Sequence, residues 1–194
     1  MKAIAISVSL LFLVSCAVQP SFETFSGGSR LSQPGVSFVP PTKKLWQILV
    51  FYTYQTTLAM YGDDPSESLI TQVSIFNIPS DRSDNSFLSF IQNKSAEEPQ
   101  TGRFEMIKES LVPYDEREEE CIKKRTSAKD YGAKREGTYT IFETYGMYCV
   151  HPMKPNIGVF VELSRKAPFG HINSIFEVMG EQLLQSVIFS DFRV

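Results

Sequence analysis

Imidazole is the side chain that most often moves protons near neutral pH, and this 194-residue sequence has two, His151 and His171. His151 stands between Cys149-Val150 and Pro152, at the end of an aromatic, threonine-rich run, and reads as a ring hydrogen-bonded near a strand end. His171 follows Gly170 just ahead of an amphipathic stretch and reads as an exposed or capping residue. No Gly-x-Ser-x-Gly elbow accompanies either of them. Metal ligation has as little to work with: there is no His-x-x-x-His, and Asp63-Asp64 with Glu67, or Asp81 with Asp84, lacks the oxygen spacing and glycine of a calcium loop. Gly27-Gly28 has no strand or lysine context for holding phosphate. With 22 acidic residues some pair of carboxylates always lies close, so acid pairs do not point to glycoside cleavage. These residues imply no catalytic group, no metal and no cofactor, and an envelope hydrolase with an unrecognised site stands only as an alternative.

The densest charge lies elsewhere. Asp115, Glu116, Arg117, Glu118, Glu119 and Glu120 precede Cys121, and Lys123, Lys124 and Arg125 follow it, with Lys129, Lys134 and Arg135 beyond. Such a block is usually a solvated hairpin whose signs offset each other. Its functional alternative is a dipolar surface that steers a partner protein or anionic lipid headgroups, with Lys123, Lys124 and Arg125 as the binding residues. The whole chain carries 19 basic and 22 acidic residues, a net −3, which gives no electrostatic case for nucleic acid.

The N-terminus carries an address. Met1-Lys2 is a short positive region, and residues 3–14 are apolar apart from Ser7 and Ser9, which has the shape of an export signal and is too short to span a bilayer. Leu13-Val14-Ser15-Cys16 resembles a bacterial lipobox, in which a small residue precedes the cysteine that becomes lipidated. The resemblance implies that residues 1–15 are a signal peptide and that Cys16 carries the lipid, whose acyl chains hold a protein at ~0.8 kcal/mol per buried methylene. Ala17, where aspartate would retain the protein at the inner membrane, implies the outer membrane, with the body facing the periplasm. An exported chain favours disulfides. Cys121 and Cys149 are the two remaining cysteines, and a bridge between them would close a loop worth about 3.5 kcal/mol in the chain-entropy model.

These residues need elements to hold them. Residues 16–35, with Pro20, Gly27, Gly28, Pro34 and Gly35 among serines, read as a lipidated flexible tether, and residues 36–194 as a single periplasmic domain. Between 45 and 61 the even positions run Trp46, Ile48, Val50, Tyr52, Tyr54, Thr56, Leu58 and Met60, a period-two face that predicts one long strand or two joined by a bend. That face is more often core than binding surface, although tyrosines left exposed on it would favour an interface. Further strands are expected at 69–78, 104–107, 120–126, 137–150 and 157–164. Helices are expected at 84–94, with Asp84 as N-cap, and after Ile172, where Ile175, Phe176, Met179, Leu183 and Val187 keep helical spacing and Ser174 to Glu177 suit a capping box. This order predicts an α+β domain, an antiparallel sheet whose apolar face two amphipathic helices cover.

Phe38-Val39-Pro40-Pro41 leading to Trp46, Ser86-Phe87-Leu88-Ser89-Phe90, Arg103-Phe104, Cys121, Cys149-Val150-His151-Pro152 and Ser164-Arg165 are similar to segments of poorly characterised bacterial lipoproteins with a Mog1/PsbP-like domain. That resemblance implies a compact sandwich of sheet and helices and brings no catalytic residues. The functional expectation is a lipid-anchored envelope protein that binds another protein or plays a structural part without catalysis. A periplasmic inhibitor or self-protection lipoprotein is a special case of the same reading.

Overall fold

The computed structural model describes residues 23–62, 67–80, 86–96, 102–132, 138–168 and 174–192. Among the described residues eleven strands and two helices follow one another: β1 (Thr24–Ser26), β2 (Leu31–Gln33), β3 (Val36–Phe38), β4 (Leu45–Tyr52), β5 (Gln55–Tyr61), β6 (Ser68–Asn77), α1 (Phe87–Ala96), β7 (Phe104–Pro113), β8 (Cys121–Asp130), β9 (Thr140–His151), β10 (Lys154–Pro168), α2 (Ser174–Gln185) and β11 (Ile188–Phe189). Eight of the strands form one antiparallel sheet in the order β1-β4-β5-β6-β10-β9-β8-β7, and β11-β3-β2 form a second, three-stranded sheet.

Alternation along the strands divides the large sheet into two apolar faces. Odd residues of β9 and β10, Tyr145, Met147, Cys149, Val159, Val161 and Leu163, meet Val73, Leu58 and Trp46 on one face. That face is covered by α2, through Phe176, Leu183 and Leu184, and by Val36 and Phe38 of the small sheet. Even residues Tyr148 and Val150, with Ile122, Phe76 and Phe160, form the second core, against which α1 lays Phe87 and Ile91. Ser86 caps α1, its Oγ accepting from the Ser89 N–H at 3.2 Å. Asp84, expected in that role, lies outside the described residues, as do the turn residues 63–66 and the side chain of Ser174.

The expected α+β architecture, an antiparallel sheet with both amphipathic helices on its apolar face, is overturned. More than half of the described residues are strand, and the framework is the eight-stranded sheet. Its two helices lie on opposite faces, each against its own core. The physical reason is that the central strands are apolar on both sides, so one covering layer cannot bury them. On the α2 side, part of the cover is the small sheet, built from short strands at the two ends of the domain. The Mog1/PsbP-like sandwich implied by the resemblance falls with that expectation.

The folded body also begins earlier than residue 36. β1 and β2 lie within the 16–35 segment read as tether, and β1 pairs with β4 while β2 pairs with β3. Gly35 makes the β2–β3 turn with a φ of 82°, and a Cβ there would lie 2.5 Å from Phe192, so both backbone and packing require glycine.

Candidate functional site

On the face that carries α1, the register lines up two polar rows. Gln72, Glu162, Gly146, Lys124 and Leu111 stand side by side across β6, β10, β9, β8 and β7, and Ser164, Thr144, Thr126 and Glu109 form the next row. Gly146 leaves a notch in the first. A Cβ there would lie 2.7 Å from the Val161 carbonyl oxygen and 3.2 Å from Glu162 Cβ. With no side chain between them, Lys124 Nζ reaches across β9 to Glu162 Oε2 at 3.7 Å, the two side chains being 11% and 15% exposed.

The C-terminal half of α1 passes beside these rows and is tied to β7 where Ser95 Oγ donates to Glu109 Oε1 at 3.1 Å. The space enclosed is a groove of about 810 Å³. Tyr148 and Phe160, stacked with centroids 4.4 Å apart, wall one end, and Phe104 and Phe142, 5.2 Å apart, wall the other. Between them the Thr126 and Thr144 hydroxyls are buried and have no hydrogen-bond partner. A buried polar group left unmet costs roughly 1–3 kcal/mol. Two such hydroxyls beside a shielded ion pair, between aromatic ends, are hydrogen-bonding capacity that the fold itself does not use.

The basic triplet is divided by strand alternation. Lys124 belongs to the groove, whereas Lys123 and Arg125 point through the opposite face towards α2. There Glu181 accepts hydrogen bonds from the Tyr114 and Tyr145 hydroxyls and from Lys123 Nζ at 3.1 Å. Arg125 lies 4.8 Å from the Tyr145 ring centroid and 3.4 Å from Glu177 Oε1. Burial pushes the Glu181 carboxyl up, but the hydrogen bonds from Tyr114, Tyr145 and Lys123 outweigh it and hold the group down at about 2. Burial and the Glu181 carboxylate both push the Tyr114 hydroxyl upward. This hub fastens α2 to β8 and β9. The structure therefore does not bring Lys123, Lys124 and Arg125 together as one surface.

His151 is fully buried. Its Nε2 lies 2.9 Å from the Gly35 carbonyl oxygen, which can only accept, so Nε2 carries the hydrogen, and Nδ1 accepts from the Met153 N–H. The ring packs against Phe189 and Phe192 and faces away from the groove. Cys121 and Cys149 are directly opposite in the β8–β9 register, joined by a disulfide with Cα atoms 4.1 Å apart. Cys16, His171, Asp81, Lys134 and Arg135 lie outside the described residues. Among the described residues no helix is long and apolar enough to cross a membrane.

The sequence reading missed Glu162, Thr126, Thr144 and Gly146. One signal was present: Glu162 interrupts the apolar run from Ile157 to Leu163, and a carboxylate in a central strand needs a partner. Comparisons with models of known families and with curated proteins find no match to this chain.

Proposed function

We propose that this is a lipid-anchored, non-catalytic binding protein of the cell envelope, held through Cys16 at the outer membrane with its body in the periplasm, and that the α1 groove receives an extended polypeptide segment of a partner protein. The observation that carries the reading is the pair of buried, unpartnered hydroxyls of Thr126 and Thr144 on the groove floor. A peptide supplies amide donors and carbonyl acceptors at regular spacing, which is what those hydroxyls lack, and it meets them once the side chains that now shield both oxygens shift aside. Between its aromatic ends the groove runs along β9 from Tyr148 to Phe142, about 20 Å at the usual rise per residue, enough for about six residues of extended chain. Apolar side chains of such a segment would rest on Tyr148 and Phe160 at one end and on Phe104 and Phe142 at the other.

The test uses peptides selected from a displayed library on the folded protein, with binding measured to the wild type and to Thr126→Val/Thr144→Val. Valine keeps the shape and removes both hydroxyls. Two hydrogen bonds at about 1 kcal/mol each predict affinity lower by tenfold or more. The same double variant should be more stable than the wild type by about 1 kcal/mol in urea unfolding, because two unmet polar groups leave the interior. Peptides that bind both proteins equally, or a variant that loses stability, would remove the groove from the proposal.

A further inference from the structure

The hairpin between β4 and β5 ends in Phe51-Tyr52-Thr53-Tyr54. Phe51, Tyr52 and Tyr54 are 53%, 62% and 60% exposed, and the two tyrosine rings lie 6.1 Å apart, beside each other and outside the core. Single exposed aromatics are ordinary, but three on a four-residue tip without a charge form a contiguous apolar point. We infer that this tip is a second membrane contact, seated among the lipid headgroups, that fixes the orientation of the anchored body. The inference rests on the lipid at Cys16 proposed above.

Chain length and topology choose the lipid surface as occupant. β1 is antiparallel to β4, with Thr24 opposite Gln47 and the Ile48 N–H donating to the Glu23 carbonyl at 2.8 Å. The chain therefore enters β1 from the side on which β4 runs to its tip. From Cys16 to Glu23 is a reach of at most about 25 Å even fully extended. From Ile48 to Tyr52 the strand covers roughly 13 Å in the direction of that entry. A body tied this closely to its acyl chains keeps the tip within reach of the bilayer at all times. Tyrosine suits the headgroup level, where its ring is sheltered and its hydroxyl stays wet.

Charge favours the same corner. At that end of the sheet the β9–β10 turn presents Met153, 44% exposed, and Lys154, also exposed. The acidic connection containing Asp115, Glu116 and Glu118 joins β7 to β8, and β8 is five strand positions from β4, about 24 Å across the sheet. That connection leaves the sheet at the same end as the tip, so the seating we infer has the sheet tilted onto its β4–β5 corner, which lifts those carboxylates off an anionic surface.

The experiment uses the full-length lipidated protein in vesicles of phosphatidylcholine and phosphatidylglycerol, with and without bromine on the upper acyl chain. Tryptophan is placed at the tip in Tyr54→Trp and at the far end of β5 in Tyr61→Trp, a comparably exposed position about 23 Å away. The native Trp46 is fully buried and supplies a constant background. We expect at least twofold quenching of the added emission in Tyr54→Trp, none in Tyr61→Trp, and flotation with the vesicles that is lost in Cys16→Ala. Flotation with equal quenching at both positions, or none at position 54, overturns the membrane-seated tip and leaves the anchor standing. A wild type that does not float, or a Cys16→Ala protein that floats equally, overturns the anchor and this inference with it.

Discussion

Lys124 is the residue at which a surface reading and a site reading part. Its sequence neighbours Lys123 and Arg125 face α2, while Lys124 lies under α1 with its ammonium 5.7 Å from the Phe160 ring centroid and 6.0 Å from that of Tyr148. A lysine in that position is held by Glu162 and by the aromatic faces together, and removing it leaves a shielded carboxylate less well matched. Lys124→Ala should therefore cost about 1–3 kcal/mol in unfolding free energy, more than an exposed lysine, for which the change is usually within ±0.5 kcal/mol. Glu162→Ala should cost a similar amount. The double variant should lose less than the sum of the two, with a coupling energy of about 1 kcal/mol in a double-mutant cycle. Strictly additive losses would mean that the two side chains do not sense each other across Gly146.

α2 is attached by chemistry that depends on pH. Glu181 is held at about 2, against 4.5 for an ordinary glutamate, and at the other end of β8 Asp130 is held at about 2 by the Arg103 guanidinium and the Gly132 N–H, against an ordinary 3.8. Both carboxyls are more acidic in the folded chain than in the unfolded one. Their contribution is thus complete above the unfolded values and is lost as pH falls towards the folded ones. The free energy of unfolding, measured in urea, should be level above pH ~5 and decline between about 4.5 and 2. Glu181→Gln should lower stability at neutral pH and flatten part of that decline, the remainder belonging to Asp130 and to Glu119 and Glu105, which Arg117 and Lys129 hold below the ordinary glutamate value. An unchanged acid limb in Glu181→Gln would show that the Tyr114–Tyr145–Lys123 hub does not fasten the helix. Both helices were legible in the sequence, because the 3.6-residue stripe of Ile175, Phe176, Met179 and Leu183 is a local signal. So were the long strands, including the clean alternation of Ile157, Val159, Val161 and Leu163. β1, β2, β3 and β11 were not, since two or three residues carry no period and their strand character comes from distant partners such as Trp46 opposite Phe25 and Ile188 opposite Ser37. The groove was hidden for the same reason. Lys124, Thr144, Gly146 and Glu162 become neighbours only through the β8–β9–β10 register, and nothing local in the chain states that register.

At the scale of the whole molecule, two cores lie back to back on shared strands: β9 contributes Tyr145, Met147 and Cys149 to one and Tyr148 and Val150 to the other. Loss of either covering layer exposes strands on which the other depends, so the body should unfold in a single transition. The Cys121–Cys149 bridge spans the β8–β9 pair that carries both the groove floor and the α2 hub. Beside it the Tyr114 N–H donates to the Cys121 carbonyl and the Val150 N–H to the Glu120 carbonyl, so the bridge also steadies the acidic connection that brings Tyr114 to Glu181. Opening it frees a loop with a sequence separation of 28 in the unfolded chain. The chain-entropy model puts that at about 3.5 kcal/mol, and a domain of this size shifts by roughly 2–4 °C per kcal/mol. Reduction, or Cys121→Ala/Cys149→Ala, should therefore lower the thermal midpoint by about 7–14 °C while keeping one transition. Amide exchange should accelerate most at 181–187 and across β8, where the hub and the bridge meet, rather than along β4 and β5. Two thiols that alkylate without denaturant in the oxidised protein, or a midpoint that reductant leaves in place, would break the link between the bridge, the helix and the shared strands.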